Sequence, residues 1–307
     1  MKKRIFYIIK YSVEYVALGN RSMQLAKRTA QKGQAHYKGK LFSEKRLALR
    51  SKLFKNITLP SMRAALENDD AYLVILTSEA LPTKYKKQLE EMLRGIGNVV
   101  IRYCKPIKSV DSEARESVLD ILRKTCNRKE KEICLATIRL DDDDALANNY
   151  TQLLLPYVRP DLSGFYVSFP LGVRLSIKHG RFVLTKCYLP KTSQGLARIE
   201  VVDPFSENSF QTTYGGGSHV GVDKRGPAIL DAREIAYVRT NHVDNDSGMR
   251  PLEWARHWIQ VSAEPLAERN KIESEVSLNL DALGVCGKKT LLQGWLSPVS
   301  SLVYRST

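Results

Sequence analysis

Cys134-Leu135-Ala136-Thr137-Ile138-Arg139-Leu140 runs directly into Asp141-Asp142-Asp143-Asp144, and the apolar pair Ala145-Leu146 follows at once. The first seven residues read as a short buried strand, so the chain delivers four consecutive carboxyl groups at a strand's carboxyl end. Packed a few ångströms apart, these groups raise one another's pKa and stay ionised only if positive charge sits among them. A divalent ion is the usual remedy. Hard Mg2+ or Mn2+ takes oxygen ligands and is commonly held by one or two carboxylates together with the phosphates of a substrate. The plainer reading is a solvated turn and helix N-terminus, where Asp caps free N–H groups and complements the dipole. Capping uses one or two acids, not four. Position also favours a site, because open α/β sheets bind ligands beyond the carboxyl ends of their strands.

Working outward, the same grammar repeats upstream. Arg4 to Val13 is a first strand rich in Ile, Tyr and Phe, and Ala71 to Thr77 is a continuous apolar run of buried-strand length. Between them, residues 17 to 40 are polar and basic and read as a long loop with some helix. Leu47, Phe54 and Leu66 then fall on helical faces, with two helices expected to meet at Thr58-Leu59-Pro60-Ser61, because a residue before proline is pushed out of the α region. After Pro82, Tyr85, Leu89, Met92, Leu93 and Ile96 mark an amphipathic helix stopped by Gly95 and Gly97. Val99 to Tyr103 is a strand, and Ala114, Val118, Ile121, Leu122 and Thr125 line a further helix. Three successive β-α units ending on the acid run predict a mostly parallel, Rossmann-like α/β sheet with right-handed crossovers.

Downstream of a helix expected over Leu146 to Tyr157, the period changes. Gly164 to Phe169, Val173 to Ile177 and Phe182 to Leu189 are closely spaced strand patterns, and Lys178-His179-Gly180 reads as a hairpin turn. They predict an antiparallel insertion that walls an acceptor site.

With 307 residues and 43% apolar content the chain can bury one large core or two small ones. Cys104, Cys126, Cys134, Cys187 and Cys286 have no C-x-x-C spacing, which argues for reduced thiols in the cytoplasm rather than disulfides or a zinc site. Met1-Lys2-Lys3-Arg4 imitates a signal peptide, but Lys10 and Glu14 cut the apolar run short. No stretch reaches transmembrane length. The net charge of +15 is concentrated: residues 1 to 65 hold 16 Lys/Arg against Glu14 and Glu44. Such a surface suits a nucleotide-sugar, an anionic membrane face or nucleic acid; solubility alone is the plain alternative. Peripheral contact with the inner face of the cell membrane is the expectation drawn from it. No nucleic-acid motif is present, so no nucleic-acid partner is expected.

Several stretches, in this order, resemble a family of bacterial rhamnosyltransferases of GT-A type. They are Leu53-Phe54 with Thr58-Leu59-Pro60-Ser61; Ala71-Tyr72-Leu73-Val74-Ile75-Leu76-Thr77-Ser78; Arg139-Leu140-Asp141-Asp142-Asp143-Asp144-Ala145-Leu146; and Arg239-Thr240-Asn241-His242 with Asn245-Asp246-Ser247. The resemblance spans roughly residues 5 to 250 and leaves out residues 17 to 40 and everything past Pro251. It implies a GT-A domain over residues 1–250, with a nucleotide-sugar half to about 150 and an acceptor half beyond, and a helical extension over 251–307. It also implies metal-dependent transfer of a sugar, rhamnose by the family's label, from a nucleoside-diphosphate donor to a glycan or lipid-linked acceptor in polysaccharide synthesis. The acids then form a DxD motif in the register Asp141-x-Asp143, with Asp141, Asp143 and His242 on Mn2+ or Mg2+ and Arg139, Asp141 and Asp142 beside the donor.

Other polar groups are less decided. Tyr214-Gly215-Gly216-Gly217-Ser218-His219 lacks the lysine of a P-loop and reads as a lid or close-approach segment. His242 lies in a polar cluster with Asn241, Asp244, Asn245, Asp246 and Ser247 that could equally be a surface turn. His36, His179 and His257 have no companions, and Trp254 and Trp258 read as a packing face. Inverting transfer needs a base, and Glu234, Asp231 and His219 are the candidates, Glu234 preferred. Two rival functions remain: a nucleotidyltransferase, which also uses paired aspartates and metal, and a basic adaptor without catalysis.

Overall fold

The computed structural model describes residues 1–16, 25, 32–129, 131–178, 181–206, 210–215, 217–242, 276 and 278. β1 (Lys2–Tyr11) lies inside a seven-stranded sheet, flanked by β2 (Ala71–Ser78) and β4 (Ile133–Asp141), both parallel to it; β3 (Val99–Cys104) continues beyond β2. Alternation along β1 sends Ile5, Tyr7, Ile9 and Tyr11 into one core and Phe6 and Ile8 into another. That is why the strand reads as an unbroken apolar run: both faces are covered by helices. The first core is closed by α2 (Glu44–Leu53), α3 (Leu59–Ala65) and α4 (Thr83–Leu93), the second by α5 (Val110–Thr125). α1 (Gln34–Leu41) precedes α2.

Thr58-Leu59-Pro60 does not break the helix. α2 passes through a π-helical turn, Phe54–Thr58, straight into α3, and Leu59 before the proline stays helical. A proline inside a helix removes one backbone donor; the widened turn changes the partner pattern just ahead of Pro60, and the Asn56 and Ser61 side chains bond to the carbonyls of Lys52 and Thr58. The expected helix over Leu146 to Tyr157 is also shorter. Ala145–Leu146 is a strand, β5, and only Tyr150–Leu154 is α-helical (α6), followed by a 3-10 turn at Leu155–Tyr157. Thr125 lies exposed at the end of α5, since its hydroxyl is satisfied by the carbonyl of Ile121.

The strands of the second half divide between two sheets, with an antiparallel hairpin inserted between β6 (Tyr166–Ser168) and β9 (Ala197–Val202). β6, β9 and β10 (Ala228–Leu230) extend the large sheet in the order β10-β6-β9-β4-β1-β2-β3, with β9 antiparallel between β4 and β6. The hairpin β7 (Leu171–Lys178) and β8 (Arg181–Tyr188) joins β5 and β11 (Tyr237–Asn241) in a separate four-stranded sheet, β5-β11-β7-β8. Its apolar face, Ala145, Val173, Leu175 and Val238, packs on Leu53 and Ile57 of the α2–π layer. That layer is therefore clamped between the two sheets. Cys104, Cys126, Cys134 and Cys187 are free thiols. The polar cluster at 244–247, Gly216, His179, His257, Cys286, Trp254, Trp258 and nearly all of 251–307 lie outside the described residues.

Candidate active site

β1 pairs with β2 on one side and β4 on the other, so the chain reverses its direction of growth between β1 and β4. A crevice opens at the carboxyl ends of strands at such a switch point. Lys10 and Asp141, the last residues in the β1–β4 register, face each other there, and Lys10 Nζ lies 3.4 Å from the Asp141 carboxylate. The chain then turns back, with the amide of Asp144 donating to the carbonyl of Asp141 at 3.3 Å, and enters β5. Asp142, Asp143 and Asp144 are 3%, 7% and 3% exposed. They are an interior cluster rather than a solvated cap.

Each acid has its own partner. Arg50, from the buried face of α2, forms an ion pair with Asp142 and reaches Asp143 at 3.2 Å. His242, just beyond β11, sets Nε2 2.9 Å from Asp143 Oδ2. Asp144 accepts from the backbone N–H of Thr240 at 2.7 Å and from the Gln194 amide. Part of the positive charge that the acid run demands is thus supplied by the protein, through Arg50 and Lys10. Burial raises the Asp141 carboxyl, but Lys10 and Arg139 outweigh it and hold the group well below the usual range. Asp142 is pushed up to about 6 by burial, only partly offset by Arg50. Asp143 is lowered on balance, with Arg50 and His242 overcoming burial. Asp144 is raised by burial and by Asp143 and Asp141.

On the large-sheet side, Tyr214 donates to the carbonyl of Ile8 at 3.1 Å and lays its ring beneath Lys10 and Arg139, 5.5 and 4.9 Å from the centroid. The glycine-rich segment is held here by its tyrosine; at Gly215 a β-carbon would crowd Gln211 and Asp111 at 3.0 and 3.2 Å. His219 opens a 3-10 turn, His219–Lys224, and its Nδ1 donates to the Lys191 carbonyl at 2.6 Å. That leaves Nε2 as the lone-pair nitrogen of the neutral ring. Burial, then Arg139, depress its pKa to about 4, while Asp141 pulls the other way. Asp231 is buried, bonded by Arg233 and by the Tyr157 hydroxyl at 2.9 Å, and held down to about 2, chiefly by Arg233. Glu234 is exposed in the segment before β11. The geometry thus gathers Asp141, Asp142, Asp143 and His242 in one cluster, with Arg139 and His219 around Asp141, and leaves Glu234 on the surface.

Sequence reading does not place Arg50, Lys10 or Gln194 in a site, and it names Tyr214 only as the start of the glycine-rich segment. A signal for Arg50 existed: Arg46 and Arg50 sit one helical turn apart on the face that also carries Leu47 and Phe54, and both are buried. Cations at i and i+4 among core positions imply buried anions opposite.

A divalent metal fits this donor set in part. Asp143 and His242 offer an oxygen and a nitrogen side by side. Among the described residues no three His, Cys, Asp or Glu side chains form a ready metal site. The further ligands would come from substrate phosphates and water, the usual arrangement for Mg2+ and its relatives. Among the described residues, no helix is long and apolar enough to cross a membrane.

Among curated proteins, no sequence matches the chain. Solved structures similar to it include TarS residues 1–349 of S. aureus, at 9% identity and TM-score 0.36, covering 77% of this chain and 60% of that one. They also include the mannosyltransferase PcManGT of Pyrobaculum calidifontis in complex with GDP-Man and Mn2+, at 11% identity and TM-score 0.39, covering 99% and 82%. The chain thus spans 60% of the TarS chain. A family model described as "Putative rhamnosyl transferase" matches residues 14–253, which take in the acid run, Arg50, His219 and His242. The chain belongs to this family of glycosyltransferases.

Proposed function

We propose that the protein transfers a sugar from a nucleoside-diphosphate donor to a hydroxyl of a glycan or lipid-linked acceptor, with a divalent metal held at Asp143 and His242. The observation that carries this reading is the seat of the acid run: Asp141 ends β4 at the β1–β4 switch point, with Lys10 on one flank and Arg50 and His242 on the other. Carboxylates alone would repel a diphosphate. Here cations alternate with acids, so an anion can be received on the Lys10 and Arg139 side while Asp143 faces a metal.

Cleaving the anomeric bond builds negative charge on the departing diphosphate, and a bound divalent ion supplies electrostatic stabilisation of that charge. The chain's own residues do the rest. Lys10 and Arg139, braced on the Tyr214 ring, add fixed positive charge beside Asp141. Arg50 bridges Asp142 and Asp143 and offsets their mutual repulsion. Gln194 and Thr240 lock Asp144 and so tie the acid turn to β11 and its His242. For the acceptor proton we favour His219 over Glu234, because its Nε2 is free in the neutral tautomer and its surroundings include Asp141.

A thermal-shift panel of UDP, GDP and dTDP, each with and without Mn2+, tests the reading. Stabilisation by one nucleoside diphosphate that grows with Mn2+ supports it. Stabilisation by oligonucleotide alone would favour the basic adaptor; that idea has lost part of its ground, because Arg4, Arg46 and Arg50 are buried rather than displayed.

A further inference from the structure

Among the described residues, the buried Arg4 pairs with Asp70 and the buried Arg50 with Asp142 and Asp143, and the half-buried Lys10 pairs with Asp141. Arg174 is different. It lies on β7 directly across from Arg239 of the parallel neighbour β11, it is only 8% exposed, and its Nε, like those of Arg4, Arg50 and Arg139, is buried without a hydrogen-bond acceptor. Among the described residues no carboxylate pairs with either arginine, and both oxygens of the nearby Asp144 are engaged by Gln194 and Thr240.

Side chains alternate along a strand. Val173, Leu175 and Val238 fill the apolar face against the α2–π layer, so Arg174 and Arg239 rise from the opposite face. Behind them, Tyr237 lies across Gly172, where a β-carbon would come within 2.3 Å of its ring, and Tyr237 is anchored to the Pro170 carbonyl at 3.1 Å. Ahead of them come Asn241 and Ser176, registered together, and then His242 on Asp143. The guanidinium row therefore leads toward the acid cluster from the four-stranded sheet, across from the Lys10 and Arg139 side.

Like charges in direct cross-strand register repel, and burying an arginine without a counter-ion is costly. Burial, reinforced by Arg239, lowers the pKa of Arg174. Two guanidinium forks side by side are suited to bidentate recognition of a phosphate or carboxylate. We infer that Arg174 and Arg239 form an oxyanion subsite that receives a phosphate or carboxylate carried by the acceptor. This inference rests on the donor occupying the Lys10 and Arg139 side, as proposed above.

The test uses the full chain with Arg239→Gln, which alters the less buried partner, and the charge-keeping Arg239→Lys. Binding of inorganic phosphate and of glucuronate is measured by calorimetry with the donor site filled by nucleoside diphosphate and Mg2+, and nucleoside-diphosphate affinity is measured separately. Arg239→Gln is expected to weaken phosphate or glucuronate binding by about tenfold or more, Arg239→Lys by less, and both to leave nucleoside-diphosphate affinity unchanged. Loss of nucleoside-diphosphate affinity in step with phosphate would reassign the pair to the donor and overturn the acceptor assignment. Unchanged affinity for both anions would overturn the subsite altogether. If the native protein binds no nucleoside diphosphate, yet Arg239→Gln still weakens the anions, the donor reading fails while the subsite stands. The free Arg239→Gln protein should melt no lower than the native one, since repulsion is relieved; a melting point lowered by several degrees would mark Arg239 as structurally paired and contradict the inference.

Discussion

Arg50→Met removes the cation from the middle of the acid cluster while keeping a long side chain to fill its volume. The structure sets the scale of the effect. The Arg50, Asp142 and Asp143 side chains are 6%, 4% and 9% exposed, and the 3.2 Å contact with Asp143 corresponds to about 5 kcal/mol at an effective dielectric of about 20. Breaking a buried pair by removing one partner typically costs about 3–5 kcal/mol, because the other charge is left behind. For a chain of this size that lowers the melting temperature by roughly 5–8 °C. Thermal unfolding of Arg50→Met, Asp142→Asn and the double variant measures it. Asp142→Asn removes the charge that Arg50→Met orphans, so the double variant should recover part of the loss, with about 1–3 kcal/mol of coupling. An Arg50→Met protein as stable as the native chain would refute the view that Arg50 neutralises the acids.

Three further outcomes are expected. Gly172→Ala should destabilise the four-stranded sheet by about 1–3 kcal/mol, because its β-carbon would overlap the Tyr237 ring; urea titration reads this directly. His219 should make stability fall as pH drops from about 6.5 toward 4, since its folded pKa is about 4 and the unfolded chain binds a proton there that the folded chain does not, worth up to about 3 kcal/mol. Above pH 6.5 it contributes no slope, and His219→Gln should flatten that segment of the stability profile; an identical profile would remove the depressed pKa. In transfer assays His219→Gln should lower turnover by about 10²-fold or more while Glu234→Gln stays near native, and the reverse ranking would move the base to Glu234.

Where the local pattern and the tertiary environment agree, the fold was legible in the sequence. β1, β2 and β4 are buried on both faces and read as unbroken apolar runs, and α4 and α5 carry clean helical stripes between Gly95 or Ser109 boundaries. At Pro60 and Leu146 local preference loses to packing. Pro60 is accommodated by a π turn clamped between two sheets, and Ala145–Leu146 pairs with Tyr237–Val238, about ninety residues away. The assignment of β6, β9 and β10 to one sheet and β7 and β8 to another depends on long-range pairing that strand periodicity does not encode. At the site, the acid run announced a need for positive charge, but the sequence left open whether a metal or the protein meets it. Arg50 meets part of that need from ninety-two residues upstream.

The most direct test of the account is donor affinity against Mn2+ concentration for the native chain, Asp143→Asn and Asp142→Asn. With the metal held at Asp143 and His242, the native chain should bind a nucleoside diphosphate more tightly as Mn2+ rises. Asp143→Asn should lose that dependence and retain only the weak, metal-free affinity given by Lys10 and Arg139, while Asp142→Asn keeps it. Equal losses in both variants would make the acid run a collective site, and an Asp143→Asn protein with undiminished Mn2+ dependence would contradict the central claim.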